Sequence, residues 1–347
     1  MTTLSRTLLT SLALTLGACD AGDAFVDGAT ALRPGGFGGI RLNTNFIGGH
    51  DNSELHLDGK FHKGARLDRV CLSPKHADIQ KPVCIFAGKD PLDVKEGMII
   101  GAKGAQSFLG AAFKGSDWLL QLDLNKDGIL DSTVTLKILD ARQVATAPNG
   151  GAAPVVYWDY YWAYDVTTAT GELANFLDKQ EQKSGTFVPV CEPDADTDSL
   201  GTVVLRDTSI ETKPGAITGD VEEKARVMFT ACHSGAVGKA PSWGYVHHDI
   251  GHKAYETIVR VIRADYCKDG DSWTEPGQAV ALTDKALGVH DNFDAAYSFE
   301  GVVDLEDGWI CVDTPRHTAV YTYDHVKAAC GIPQCKDMGG DIIGQNP

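Results

Sequence analysis

The sequence predicts an α+β fold that is rich in β-structure, stapled by disulfides, and built around one principal amphipathic helix near residues 253–264. Three observations predict it. Short aromatic and β-branched runs recur along the chain, broken by Gly-Gly, Asp-Gly and Pro/Gly segments, and runs bounded in this way form strands. The stretch Lys253 to Ala264 repeats at helical spacing, with Ala254, Ile258, Val261 and Ile262 on one face. The cysteines are nine, and setting Cys19 apart leaves an even eight: Cys71, Cys84, Cys191, Cys232, Cys267, Cys311, Cys330 and Cys335. An even set in an exported chain reads as four disulfides. Near neighbours are the first pairings to expect, Cys71 with Cys84 and Cys330 with Cys335.

Export is read from the N-terminus. Met1 to Thr7 is short and carries one basic side chain, Arg6. Leu8 to Leu16 is a mostly apolar run, too short to cross a bilayer as a stable helix. Leu16-Gly17-Ala18-Cys19 follows, with small residues where a signal peptidase cuts. This tetrad resembles the lipobox of bacterial lipoproteins. The resemblance implies a signal peptide over 1–18 and a diacylglycerol on the Cys19 thiol. The mature protein would then be held to the membrane through that lipid, on the periplasmic or outer-surface side of the cell envelope. Each buried CH₂ of an acyl chain contributes ~0.8 kcal/mol to membrane attachment. An ordinary signal peptide with an accidental cysteine is the plainer alternative. No second long apolar stretch follows.

The formal charge of −16 argues against nucleic acid, and against anionic lipid, as the main partner. Residues 19–39 are small, Gly-rich and without period, which is the composition of a flexible tether. Residues 40–96 read as an N-terminal β-rich segment, in which Leu55-His56-Leu57 alternates and Cys71 to Cys84 encloses a polar loop. Trp118 to Leu139 reads as two strands joined by a tight acidic loop. Val155 to Val166 is an aromatic strand. Alternation places Tyr157, Asp159, Tyr161 and Ala163 on one face, and Trp158, Tyr160, Trp162 and Tyr164 on the other. The second face has the make-up of a sugar- or ligand-stacking surface, but packed core or sheet cover is the reading to expect, since aromatics are ordinary strand residues. Glu192 to Ser199 is an acidic loop and reads as solvated surface. On the helix, Glu256 and Arg260 stand four apart in the favourable order.

Three constellations could carry chemistry. Asp123, Asn125, Asp127, the Ile129 carbonyl and Asp131 present oxygen donors at alternate positions around Gly128, a pattern that can wrap calcium. The order matches the first half of an EF-hand loop, with Val134 in place of the usual acid at position 12. A β-hairpin turn is the competing reading, since Asp-Gly signals one unaided. Second, His248 and His252 would share one side of a helix, as zinc ligands do in His-Glu-x-x-His enzymes, with Asp249 as base. Gly251 weakens that helix. Third, Cys232 beside His233 invites a cysteine-nucleophile reading, although neighbours on a strand point to opposite faces. Neither a Gly-x-Ser-x-Gly elbow nor a phosphate loop nor a dinucleotide fingerprint occurs, and no organic cofactor is expected.

From Val261 the chain reads Val-Ile-Arg-Ala264-Asp265-Tyr266-Cys267-Lys-Asp-Gly. This resembles the signature of the ADYC domain family. Val190-Cys191, the block Ala231-Cys232-His233-Ser234-Gly235 to Lys239 with Trp243-Gly244-Tyr245, and Phe299 to Arg316 resemble further blocks in the same order. The similarity places an ADYC-like domain at 97–325, with a C-terminal tail at 326–347 holding Cys330 and Cys335. The family comprises secreted bacterial proteins without an established activity, so the resemblance implies export and supplies no reaction. The chain also departs from the pattern, lacking cysteines that are common in the family at the place of Ala240 and near Tyr255. Loss of both together is what removal of one disulfide would leave, which implies that the remaining cysteines are paired. Cys191–Cys232 and Cys267–Cys311 are the first of three possible pairings. The function expected is an exported, lipid-anchored envelope protein with a binding or structural domain. The rival is an extracytoplasmic hydrolase working through His248/His252 or through Cys232.

Overall fold

The computed structural model describes residues 41–42, 54–62, 64–123, 128–130, 132–170, 187–194, 198–210, 217–218, 226–336 and 339–347. Their fold is β-rich. A nine-stranded antiparallel sheet runs in the order Glu54–His56, Val227–Cys232, Thr202–Arg206, Val155–Asp165, Ser132–Thr146, Asp117–Leu122, Ala65–Leu72 and Val83–Phe86, with Phe187–Pro189 paired to Val155–Asp165. Alternation explains its outer part. In Asp117–Leu122 the side chains of Trp118, Leu120 and Leu122 are buried, and the residues between them are half exposed.

The middle strands are buried on both faces, because the sheet separates two cores. Val204, Met228, Tyr160 and Trp162 face one core, closed by the three-stranded sheet Leu92–Lys95, Met98–Lys103 and Gln106–Leu109. Val203, Leu205, Phe229 and Ala231 face the other, closed by the long helix and by a five-stranded sheet. Continuous runs such as Val-Met-Phe-Thr-Ala-Cys are what a doubly covered strand requires.

The helix spans His252–Arg263, one residue off the expected range at each end. It is buried more completely than its spacing predicts. Every residue from Tyr255 to Arg263 is buried except Glu256, because the helix lies between two sheets. Glu256 and Arg260 pair at 2.7 Å as expected. A second helix, Tyr323–Cys330, was not expected and runs across the boundary at 326 into the segment read as tail.

The segment boundaries at 97 and 326 do not divide the sheets. Ala65–Leu72 pairs with Asp117–Leu122, and Glu54–His56 pairs with Val227–Cys232. Ile342–Asn346 lies between Ala279–Asp284 and Ser298–Asp304, so the supposed tail is the middle strand of the five-stranded sheet. Hydrogen bonding between strands ignores sequence distance, and composition carries no trace of it.

All eight downstream cysteines are joined. Cys71–Cys84 links directly opposed residues of one strand pair, and Cys191–Cys232 closes as the first pairing expected. The other two expected pairs are overturned. Cys267 joins Cys330, and Cys311 joins Cys335. The reason is the second helix, which brings Cys330 to the turn after the long helix. The chain then reverses at Gly331 (φ 70°) and lays residues 333–335 along Gly308–Val312, where the Val312 amide donates to Pro333 and the Cys335 amide donates to Val312.

Candidate functional site

A cleft of about 480 Å³ opens on the helix-side face of the nine-stranded sheet. Its floor is the first face of the aromatic strand, Tyr157, Asp159 and Tyr161. The other face is packed, as expected of it. There Tyr160 and Trp162 are core, and Trp158 packs against Gly110, where an added Cβ would stand 2.3 Å from its ring.

Asp159 is 4% exposed. Antiparallel register sets it opposite Arg142 on the next strand, whose Nη2 and Nε donate to Asp159 Oδ2 at 3.0 and 3.2 Å. On the other side, Gly201 precedes the strand Thr202–Arg206. A Cβ there would stand 2.0 Å from Asp159 Oδ1, so glycine is what lets the carboxylate lie across the sheet. His233 follows the strand Val227–Cys232 and continues its ladder, its amide donating to the Gly201 carbonyl at 3.0 Å.

His233 is 4% exposed, with Nδ1 at 3.0 Å from Ser199 Oγ and Nε2 at 3.5 Å from Asp159 Oδ1. Burial holds its pKa below the usual histidine range, against the opposing pull of Asp159 and Asp194, so the ring is neutral at neutral pH. Neither His233 Nε2 nor Asp159 Oδ1 makes a hydrogen bond among the described residues.

Ser199 is set by its loop. Its Oγ accepts from the Gly201 amide at 3.0 Å, and its carbonyl accepts from Asp194. Asp194 forms a buried ion pair with Lys239 at 2.6 Å, and Cys191 ties the loop's start to Cys232. The acidic loop, read as solvated surface, is therefore pinned down by one of its own carboxylates.

The residues singled out for chemistry fare differently. Gly251 takes φ 79° and separates two helices, so His248 and His252 do not share a helical face. His252 instead meets His247, Nδ1 to Nε2 at 3.4 Å, while His248 lies 3.5 Å from Asp249. Burial and the neighbouring imidazoles push His247 down to about 4. No group of three or more metal-type ligands occurs among the described residues. Cys232 is half of a disulfide and has no thiolate to offer, which removes it as a nucleophile. In the proposed calcium loop, Asp123 is buried and its Oδ2 accepts from the Gly128 amide at 2.7 Å, while Ile129 is exposed. Asn125, Asp127 and Asp131 lie outside the described residues, as does Cys19. No helix among the described residues is long and apolar enough to cross a membrane.

The tetrad Ala264-Asp265-Tyr266-Cys267 is a clasp, away from the cleft. Ala264 takes φ 53° and ends the long helix. Asp265 pairs with Arg260 and accepts from the amides of Asp269 and Gly270. The Tyr266 hydroxyl donates to Glu300 at 2.7 Å and accepts from the Arg316 amide at 2.8 Å. Glu300 in turn holds the Arg316 guanidinium at 2.9 Å, both fully buried. Cys267 carries the disulfide to Cys330. Four consecutive residues thus fasten the helix to the five-stranded sheet and to the second helix.

Sequence reasoning missed the group Arg142, Asp159, Ser199 and His233 as a site. One signal was available, a carboxylate inside an otherwise aromatic strand. The model of a family described as the ADYC domain matches residues 110–318, which include this group and the clasp. No curated protein and no solved structure is significantly similar to the chain.

Proposed function

The chain belongs to the ADYC domain family, and from that premise we propose that it is an exported cell-envelope protein, lipid-anchored through Cys19, whose domain is a binding module. The cleft at Arg142, Asp159, Ser199 and His233 is its site. The observation that carries this reading is the pair of buried, unsatisfied atoms on the cleft wall, Asp159 Oδ1 and His233 Nε2. Buried polar groups are nearly always hydrogen-bonded, and two unmet atoms 3.5 Å apart on residues that line a cleft are what a ligand hydroxyl or a bridging water satisfies. A volume of about 480 Å³ suits a small molecule. Export is supported by four disulfides, since such bonds persist in oxidising compartments. Calcium is the ion proposed for the loop at 123–131.

Saturation-transfer NMR with a set of small neutral polyols and monosaccharides tests the cleft. Binding is expected for the wild type and not for Asp159→Asn or Ser199→Ala of unchanged melting temperature. Equal binding by wild type and variants would place the site elsewhere. Metabolic labelling with an alkyne fatty acid tests the anchor: Cys19→Ser should lose both label and membrane association, and equal labelling of the variant would refute it.

A further inference from the structure

Two hydrolase readings fail on geometry, yet the cleft brings together a third set of residues. We propose that Ser199, His233 and Asp159 act as nucleophile, base and orienting carboxylate in the cleavage of small, uncharged carboxylic esters. The proposal rests on the cleft being the functional site and goes beyond binding.

The three side chains come from separate parts of the chain and converge through the sheet. Ser199 Oγ is 3.0 Å from His233 Nδ1, within reach for proton transfer. With Nδ1 accepting the serine proton, the ring's own proton resides on Nε2. That nitrogen lies 3.5 Å from Asp159 Oδ1, and the ring becomes positively charged beside the carboxylate as the serine is deprotonated. Arg142 binds the other carboxylate oxygen and keeps Asp159 fixed. The Gly201 amide donates to Ser199 Oγ and favours the developing alkoxide.

The steps balance. His233 Nδ1 takes the proton from Ser199 as Oγ bonds to the ester carbonyl carbon, and the carbonyl π electrons move to its oxygen. Collapse of the tetrahedral species breaks the bond to the leaving alkoxide, which takes the proton from Nδ1 and departs as an alcohol. A water molecule, deprotonated by the same nitrogen, then attacks the acyl-serine. The carboxylic acid leaves and Ser199 regains its proton. Arg142 is the one cationic side chain among the described residues lining the cleft, and it is held by Asp159.

The substrate class follows from the lining. Asp140 and Asp198 share the cleft and disfavour an anionic substrate, while Arg142 is already engaged by Asp159. A buried imidazole that holds its proton weakly is a sufficient acid for an alkoxide leaving group.

The experiment uses the mature protein with its disulfides intact, a fluorophosphonate probe, and p-nitrophenyl acetate. Attack by Ser199 should form one Oγ–P bond with loss of fluoride, giving a single adduct by intact mass that maps to Ser199. Ser199→Ala should lose the adduct, and His233→Gln should slow it by about 100-fold or more. Hydrolysis of p-nitrophenyl acetate should fall in parallel. Ser199 lies in a loop and is half exposed, so its alanine variant should melt as the wild type does. No adduct, an adduct on another residue, or equal ester hydrolysis by Ser199→Ala would overturn the triad. If such a result comes with polyol binding that still depends on Asp159, the chemistry falls and the binding cleft stands.

Discussion

Replacing both Cys267 and Cys330 by alanine removes one staple and tests the arrangement of the whole C-terminal region. The bond spans 63 residues of chain. Loop-closure entropy for a loop of that size gives ~4 kcal/mol of stabilisation at 25 °C. Domains of ordinary stability hold roughly 5–15 kcal/mol, so the variant should fold but sit near the lower limit. Its denaturation midpoint in urea should fall sharply, with free energies taken by linear extrapolation. Alkylation and mass spectrometry supply the second measurement. The double variant should show no free thiol, because Cys311 keeps Cys335, and Cys267→Ala alone should expose one thiol at Cys330. Two alkylatable cysteines in the double variant, at positions 311 and 335, would mean that Cys267 pairs with Cys311 after all. A midpoint unchanged from the wild type would refute the clasp as a source of stability.

Three further outcomes are expected. Glu300→Gln leaves the fully buried Arg316 charge without its counter-ion and should cost about 3–5 kcal/mol by urea titration. His247, held down to about 4, is protonated in the unfolded chain before the folded one, so its effect is absent above pH ~6.5 and stability falls as the pH drops from there towards 4. The difference in unfolding free energy between wild type and His247→Gln should therefore change by on the order of 2–3 kcal/mol across that window, and a constant difference would refute the burial argument. Calcium at 100 times its dissociation constant should stabilise by about 2.7 kcal/mol, and Asp127→Ala should abolish that shift without altering the melt in chelator. Identical melts in calcium and chelator would leave the loop a plain turn.

The particular elements show why some features were legible and others were not. The long helix was found to within one residue at each end, because periodicity is a property of a dozen consecutive side chains. The aromatic strand was legible for the same reason, and so was Cys71–Cys84, whose partners face each other across one strand pair. The faces of the aromatic strand were divided correctly by alternation, with Trp158, Tyr160, Trp162 and Tyr164 all meeting one core, and the register shift after Tyr161 is taken up by the neighbouring strand, where Leu139 is passed over. That the second face is packed was expected from its aromatics, but that a three-stranded sheet does the covering was not legible. His248 and His252 failed as a pair for a local reason, the positive φ of Gly251, which the sequence had flagged as a weak point.

The sequence by itself determined the β-rich, disulfide-stapled class, the principal helix, and the family signature, each carried by residues adjacent or nearly adjacent in the chain. Only the tertiary structure decided that Cys267 meets Cys330, that the last strand sits in the middle of a sheet, and that Asp159, Ser199 and His233 share a cleft. The reason is physical: local patterns fix φ, ψ and side-chain period, whereas the partners of a strand or a cysteine are chosen by burying two cores at once, a condition that involves residues hundreds of positions apart.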